Sequence, residues 1–122
     1  MKQGYHSNWF QVERAFIATH SDKIVGSVKV ESSSGISILR GMYISSNFQC
    51  EKLGTKLIKF IEPILNKTVS YCMPFSHLER FYAQIGYRKV SLNTYPEYLR
   101  HRYVTYENDG YIIIPMVRDI AK

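Results

Sequence analysis

Between Leu53 and Leu65 the apolar positions Leu53, Leu57, Ile58, Phe60, Ile61, Ile64 and Leu65 recur every three to four residues, with Lys52, Lys56, Lys59 and Glu62 on the remaining side. That period gives a helix with one broad apolar stripe and turns the charges to water. Pro63 should kink or end it early, because proline has no N–H to donate and its ring crowds the preceding turn. Upstream the chain is β-rich. "ERAFIATHSDKIVGSVKVE", Glu13 to Glu31, holds two such runs around Ser21, Asp22 and Lys23, which predicts a hairpin. Ser32 to Gly35 reads as a turn and "ISILRGMYIS", Ile36 to Ser45, as a strand, in which Gly41 marks a bulge or a close backbone approach.

Past the helix, "TVSYCM" from Thr68 to Met73 reads as a short buried strand. A second helix is predicted from about His77 to Ile85, with Leu78, Phe81, Tyr82 and Ile85 on one face. Ser76 and Glu79 have capping-box spacing at its start, and Gly86 stands where a left-handed cap would close it. After Gly86, "YRKVSLN" reads as a strand, "TYPEYLRHR" as an irregular excursion, and "YVTYENDGYIIIPMV" as two strands around Asn108, Asp109 and Gly110. The order predicts a single α/β (α+β) domain over residues 1–122: a mixed, largely antiparallel central sheet with helices packed on it, and a parallel crossover through the first helix.

Composition narrows the classes. No apolar run approaches the roughly 20 residues of a membrane span, and the start lacks the apolar segment of a secretory signal, so a cytoplasmic protein without a membrane partner is expected. Cys50, Cys72 and the histidines show neither zinc spacing nor a disulfide framework, so neither a metal nor a disulfide is expected. A net charge of +6 suits nucleic acid, an acidic substrate or a phosphate-rich cofactor, and because the cations form no single run, charge does not choose.

The start of the first helix chooses more. Its first N–H groups have no intrahelical partner, the helix dipole adds partial positive charge, and Lys52, Gly54 and Lys56 surround that end. Phosphate can dock on such a seat. The plain alternative is a solvated lysine face with a glycine at a turn.

Two motifs, in this order and with these elements between them, resemble the GNAT superfamily of N-acetyltransferases. "MYISSNFQCEKLGT" is similar to the family's acyl-CoA loop, with Tyr43 and Ile44 at the strand end, Gln49 at the Arg/Gln position, Gly54 at the last position, and Lys52 in place of the middle glycine. "ERFYAQIGYRKV" is similar to the Phe-Tyr-x-x-x-Gly-Phe signature, with Tyr87 for the final phenylalanine and Phe75 where many members carry asparagine. The resemblance covers about Ala15 to Val117 and departs at the front, where about a dozen residues precede the hairpin instead of a strand and two helices that normally wall the acceptor side.

The resemblance implies a GNAT-like acyl-CoA N-acyltransferase fold with acetyl-CoA as co-substrate. The pyrophosphate would lie over the amides of Gln49, Cys50, Glu51, Lys52, Leu53, Gly54 and Thr55, beside Lys56, and the pantetheine arm would pair with the strand edge at Met42, Tyr43 and Ile44. An N–H freed by a bulge near Met42 or Tyr43 would polarise the acetyl carbonyl, and Tyr82 would protonate the leaving thiolate. No carboxylate lies on "ISILRGMYI", so a dedicated base is not identified; Glu79 is better read as a cap and His77 as exposed. Cys50 precedes the helix and Cys72 reads as core.

The leading expectation is therefore acetyl transfer to a primary amine of a small molecule or peptide, with a homodimer and a partner-supplied wall left open. Its runner-up is a degenerate member that binds acyl-CoA or a partner without turnover. A third is a basic nucleic-acid module, resting on "YPEYLRHRYVTY" from Tyr95 to Tyr106 and less favoured than a strand face; acetylation of aminoacyl-tRNA would combine the two classes.

Overall fold

The computed structural model describes residues 11–33, 35–47 and 52–120. Six strands form one sheet in the order β1-β2-β3-β4-β6-β5, and three helices pack on it. β1 (Gln11–His20) and β2 (Lys23–Ser33) form the predicted hairpin. Its two-residue turn has Ser21 and Asp22 both at positive φ, 52° and 65°, the hand that matches strand twist. β3 (Ile36–Ile44) continues the antiparallel meander.

α1 (Leu53–Leu65) is the predicted helix and carries the chain across to β4 (Val69–Cys72), which runs parallel to β3. Pro63 sits in its last turn, where the helix is already ending. Leu57, Ile58, Ile61 and Leu65 are buried, whereas Phe60, assigned to the stripe from sequence, is 71% exposed and meets Phe16 of β1 edge-on. α2 (Glu79–Gln84) follows a short 3₁₀ turn at Ser76–Leu78. The expected capping box is not formed: Leu78 is the N-cap and no side chain caps this end, because the 3₁₀ turn shifts the helix start past Ser76. The far end behaves as expected, with Gly86 at φ 99° and the Tyr87 N–H donating back to the Tyr82 carbonyl.

The segment after Gly86 differs most from expectation. β5 is only Arg88–Lys89, and Tyr95 to Tyr106 is neither an excursion nor a strand but lies mainly in α3 (Glu97–Asn108), which is followed by β6 (Met116–Arg118). Asn108, Asp109 and Gly110 close that helix rather than a hairpin, with Gly110 at φ 97°. Tyrosine, valine and threonine favour strands locally, but Tyr95, Leu99 and Tyr103, four residues apart, are the positions that packing buries. β6 is inserted between β4 and β5, antiparallel to both.

The sheet separates two cores. On one face α1 and α2 bury Val28, Val30, Leu39, Cys72 and Met116 under Ile58, Ile61, Leu65 and Tyr82. On the other, α3 covers Ile38 with Tyr95 and Leu99. Tyr95 fixes α3 to the strands: its hydroxyl lies 2.7 Å from the carbonyls of Cys72 and Met116 and accepts the Met116 N–H at 2.8 Å.

Candidate active site

β3 and β4 pair at four positions, from Ile36↔Val69 to Leu39↔Cys72, and then part. β4 stops at Cys72 and the chain turns away to bridge Phe75 with Ile113, while β3 runs on to Ile44. The split opens a cleft of about 390 Å³, within the range of small-ligand sites. Where β3 leaves β4 it also bulges. The β2 register steps from Ser27↔Tyr43 to Lys29↔Arg40, so Gly41 and Met42 together oppose Val28, and Gly41 takes φ 64°. The glycine at 41 and the bulge predicted from it thus coincide with the mouth of the cleft.

Tyr82 lines this cleft from the α2 side and is 6% exposed. Four buried tyrosines can be compared by their hydroxyls. Tyr87 bonds Ser70 at 2.6 Å, Tyr95 bonds the strands, and Tyr103 donates to the Ile113 carbonyl at 2.8 Å, but among the described residues the Tyr82 hydroxyl has no hydrogen-bond partner. Burial, with a smaller contribution from Cys72, pushes its pKa well above that of an ordinary phenol. It is therefore a protonated donor at neutral pH.

The start of α1 packs on Ile44 of β3 and Phe81 of α2. A Cβ at Gly54 would come within 3.2 Å of Phe81 Cζ and 3.8 Å of Ile44 Cγ1, so the missing side chain lets α1 approach α2 closely here. Lys52 is the N-cap at φ 59° and ψ 30°, a left-handed conformation that costs a non-glycine residue about 1–2 kcal/mol. The Lys56 N–H closes on the Lys52 carbonyl at 3.1 Å, while no acceptor is found among the described residues for the amides of Leu53, Gly54 and Thr55. Lys52 and Lys56 are exposed and Leu53 and Thr55 half-buried. Gln49, Cys50 and Glu51 lie outside the described residues. Met42 is half-buried against the α1 core, Tyr43 is 51% exposed and pairs with Ser27, and Ile44 pairs with Gly26.

Sequence reasoning missed the opposite wall of the cleft. Lys29, Arg40, Arg102, Tyr106 and Tyr111 line it from the α3 face. Arg102 was hidden because the first half of its helix was read as an irregular excursion and the second half as a strand; a test of period four over Tyr95, Leu99 and Tyr103 would have found it. Two arginines converge there on Glu31, whose carboxylate is 3.0 and 3.2 Å from the Arg102 guanidinium and 3.3 Å from that of Arg40. Burial alone would raise the Glu31 pKa, but hydrogen bonds and charge from Arg102, joined by Arg40, outweigh it and hold the group below the usual carboxylate value. His77 is exposed and stacked on Phe75, Glu79 is exposed, and Cys72 is buried and free. Among the described residues no cluster of His, Cys, Asp and Glu is arranged to hold a metal, and no helix is long and apolar enough to cross a membrane.

Comparison with known proteins places this geometry. The profile of the acetyltransferase (GNAT) domain matches residues 6–117. No curated protein is significantly similar in sequence. Among solved structures, N-acetylglutamate synthase from Neisseria gonorrhoeae, complexed with coenzyme A and N-acetyl-glutamate, superposes with a TM-score of 0.71 at 16% identity over 87% of this chain, which spans 25% of the synthase. Escherichia coli ElaA gives 0.67 at 20% identity, covering 88% of this chain and 68% of its own. An acetyltransferase of the GNAT family from Staphylococcus aureus Mu50 gives 0.69 at 17% identity, covering 89% and 68%. At these identities the structures establish the fold, and with the profile matching nearly the whole length, the chain belongs to the GNAT acetyltransferase family.

Proposed function

We propose that this domain transfers an acetyl group from acetyl-CoA to a primary amine by direct attack. The observation that carries this reading is the split beyond Leu39↔Cys72, lined by Tyr82, whose phenol has no hydrogen-bond partner among the described residues, with the start of α1 packed on Ile44 and Phe81, close in sequence to the lining residues Met42 and Tyr82. The amides from Gln49 to Thr55, with Lys52 and Lys56 adding full charges, hold the pyrophosphate. The backbone of Met42, Tyr43 and Ile44 pairs with the pantetheine arm as an added strand would. When bound, acetyl-CoA supplies the thioester carbonyl that the amine attacks. The N–H of Met42 or Tyr43, turned by the bulge, donates to that oxygen as negative charge builds on it; such a donor is worth on the order of 10² to 10³ in rate.

As the N–C bond forms the C–S bond breaks, and Tyr82 gives its proton to the leaving thiolate and regains one from solvent. Among the described residues no carboxylate lines the cleft, and the amine loses its proton to water or enters unprotonated. That same absence favours one second reading, a domain that binds acyl-CoA without turnover. Acetyl-CoA consumption against a panel of amines separates the two.

The seat is tested by calorimetric titration with acetyl-CoA. Gly54 is a poor probe, since a side chain there would also crowd the Phe81 ring, 3.2 Å from where its Cβ would stand. Lys52 and Lys56 are exposed, so Lys52→Asp with Lys56→Glu reverses charge without touching the core. Affinity should fall at least about 10-fold; equal affinity would remove the seat and the reading with it.

A further inference from the structure

The cleft is open to both faces of the sheet, and its two sides differ in charge. On the α1 and α2 side its lining is Tyr82, Leu78 and Cys72, without a formal charge at neutral pH. On the α3 side it carries Lys29, Arg40 and Arg102, and among the described residues no aspartate or glutamate lines it. Glu31 and Glu13 stand behind the arginines: Arg40 reaches both, at 3.3 and 3.6 Å, and Arg102 reaches Glu31. These pairs fix the guanidinium groups in place and offset their charge. Lys29 has no such partner among the described residues. Its stem is laid along the bulge, with Cδ, Cγ and Cβ at 3.5, 3.7 and 4.0 Å from where a Gly41 Cβ would stand. Lys29, without an ion-pair partner among the described residues, is thus seated at the point where the strands part.

We propose that the acceptor is an anionic amine, one whose molecule carries a carboxylate close to its attacking nitrogen, and that Lys29 selects it, flanked by Arg40 and Arg102. The proposal rests on the transfer reading above and narrows it. Side-chain alternation separates this site from the phosphate seat, because Arg40 faces α3 with Ile38, whereas Leu39 faces α1. The carboxylate would meet three cations against two carboxylates that are already engaged. A polycationic acceptor would place its own charges against Lys29 with nothing to receive them.

The experiment is calorimetric titration of the CoA-saturated protein, whose phosphate seat is filled, with L-glutamate, L-methionine and L-phenylalanine and with the α-carboxamide of each. At least one acid should bind about 10-fold or more tightly than its amide, the scale of a charge-assisted hydrogen bond. Lys29→Met keeps a stem over Gly41 and removes the charge; it should abolish that preference with CoA affinity unchanged, and Lys29→Arg should restore it. Equal binding of acids and amides, no binding of any acid, or a preference that survives Lys29→Met would overturn the proposal. Turnover of the same six amines separates the two readings. A carboxylate preference without transfer would leave Lys29 as the selector and sink the transferase, while transfer that favours amides would keep the transferase and sink the selector.

Discussion

Under α1 and α2 the sheet meets its helices mainly through aliphatic and aromatic contact, from Val28 and Leu39 to Ile61 and Leu65, with Arg118 of β6 adding a directed link to Glu62 and Asn66 at the end of α1. Under α3 the buried apolar cluster among the described residues is small, Ile38, Tyr95 and Leu99, and the helix is held largely by directed bonds: the Tyr95 hydroxyl to strand carbonyls, that of Tyr103 to the Ile113 carbonyl, and Arg102 to Glu31. Apolar burial is large but undirected, so the first face sets stability and tolerates change of shape. Hydrogen bonds add less net energy but fix position, so the second face sets where the cations of the cleft stand. The two meet at Tyr82, which belongs to the first core by packing and to the cleft by its hydroxyl.

Tyr82→Phe tests that double membership and should have the largest effect. Turnover should fall about 10² to 10⁴-fold, the range for a proton-transfer group, while the melting temperature stays nearly constant because the lost hydroxyl has no hydrogen-bond partner among the described residues. A stability loss without a rate loss would assign Tyr82 wholly to the core. The faces themselves are compared by Ile61→Ala and Leu99→Ala, both fully buried side chains. Truncation under α1 should cost about 3–5 kcal/mol and under α3 about 2–3, read from denaturant unfolding. Equal costs would mean that the α3 face carries more apolar stability than its small cluster suggests.

The directed face should be sensitive to acid. Because the folded protein holds Glu31 below its ordinary pKa, ionisation of this group stabilises the fold above the unfolded value of about 4.5, and the contribution disappears as pH drops through the lowered folded value. Glu31→Gln should cost on the order of 1–2 kcal/mol at neutral pH and flatten the acid limb of the stability curve below about pH 4.5. An unchanged acid limb would mean that other carboxylates control it. The smallest effect is a gain: Lys52→Gly relieves the left-handed strain at the α1 start and should add about 1 kcal/mol.

The α1 face was legible in the chain because its signals are local. The three-to-four spacing of Leu57, Ile58, Ile61 and Leu65, the positive-φ pair Ser21–Asp22 and the closing Gly86 depend on neighbours a few residues away. Gly41 announced a bulge for the same reason. Ser76 and Glu79 misled because cap spacing says nothing about a 3₁₀ turn entered from a bridge to Ile113. α3 was missed because its hydrophobic stripe is narrow and its residues favour strands, so only the contacts of Tyr95, Leu99 and Tyr103 with distant strands could decide.

Sequence alone thus determined the hairpin, the crossover helix, the bulged strand and the family-like order of elements, all of which follow from short-range periodicity and turn stereochemistry. The charged wall of the cleft was decided only by tertiary structure. Lys29, Arg40 and Arg102 are dispersed along the chain, and no local pattern can say that the parting of two parallel strands will bring them to one side of one opening.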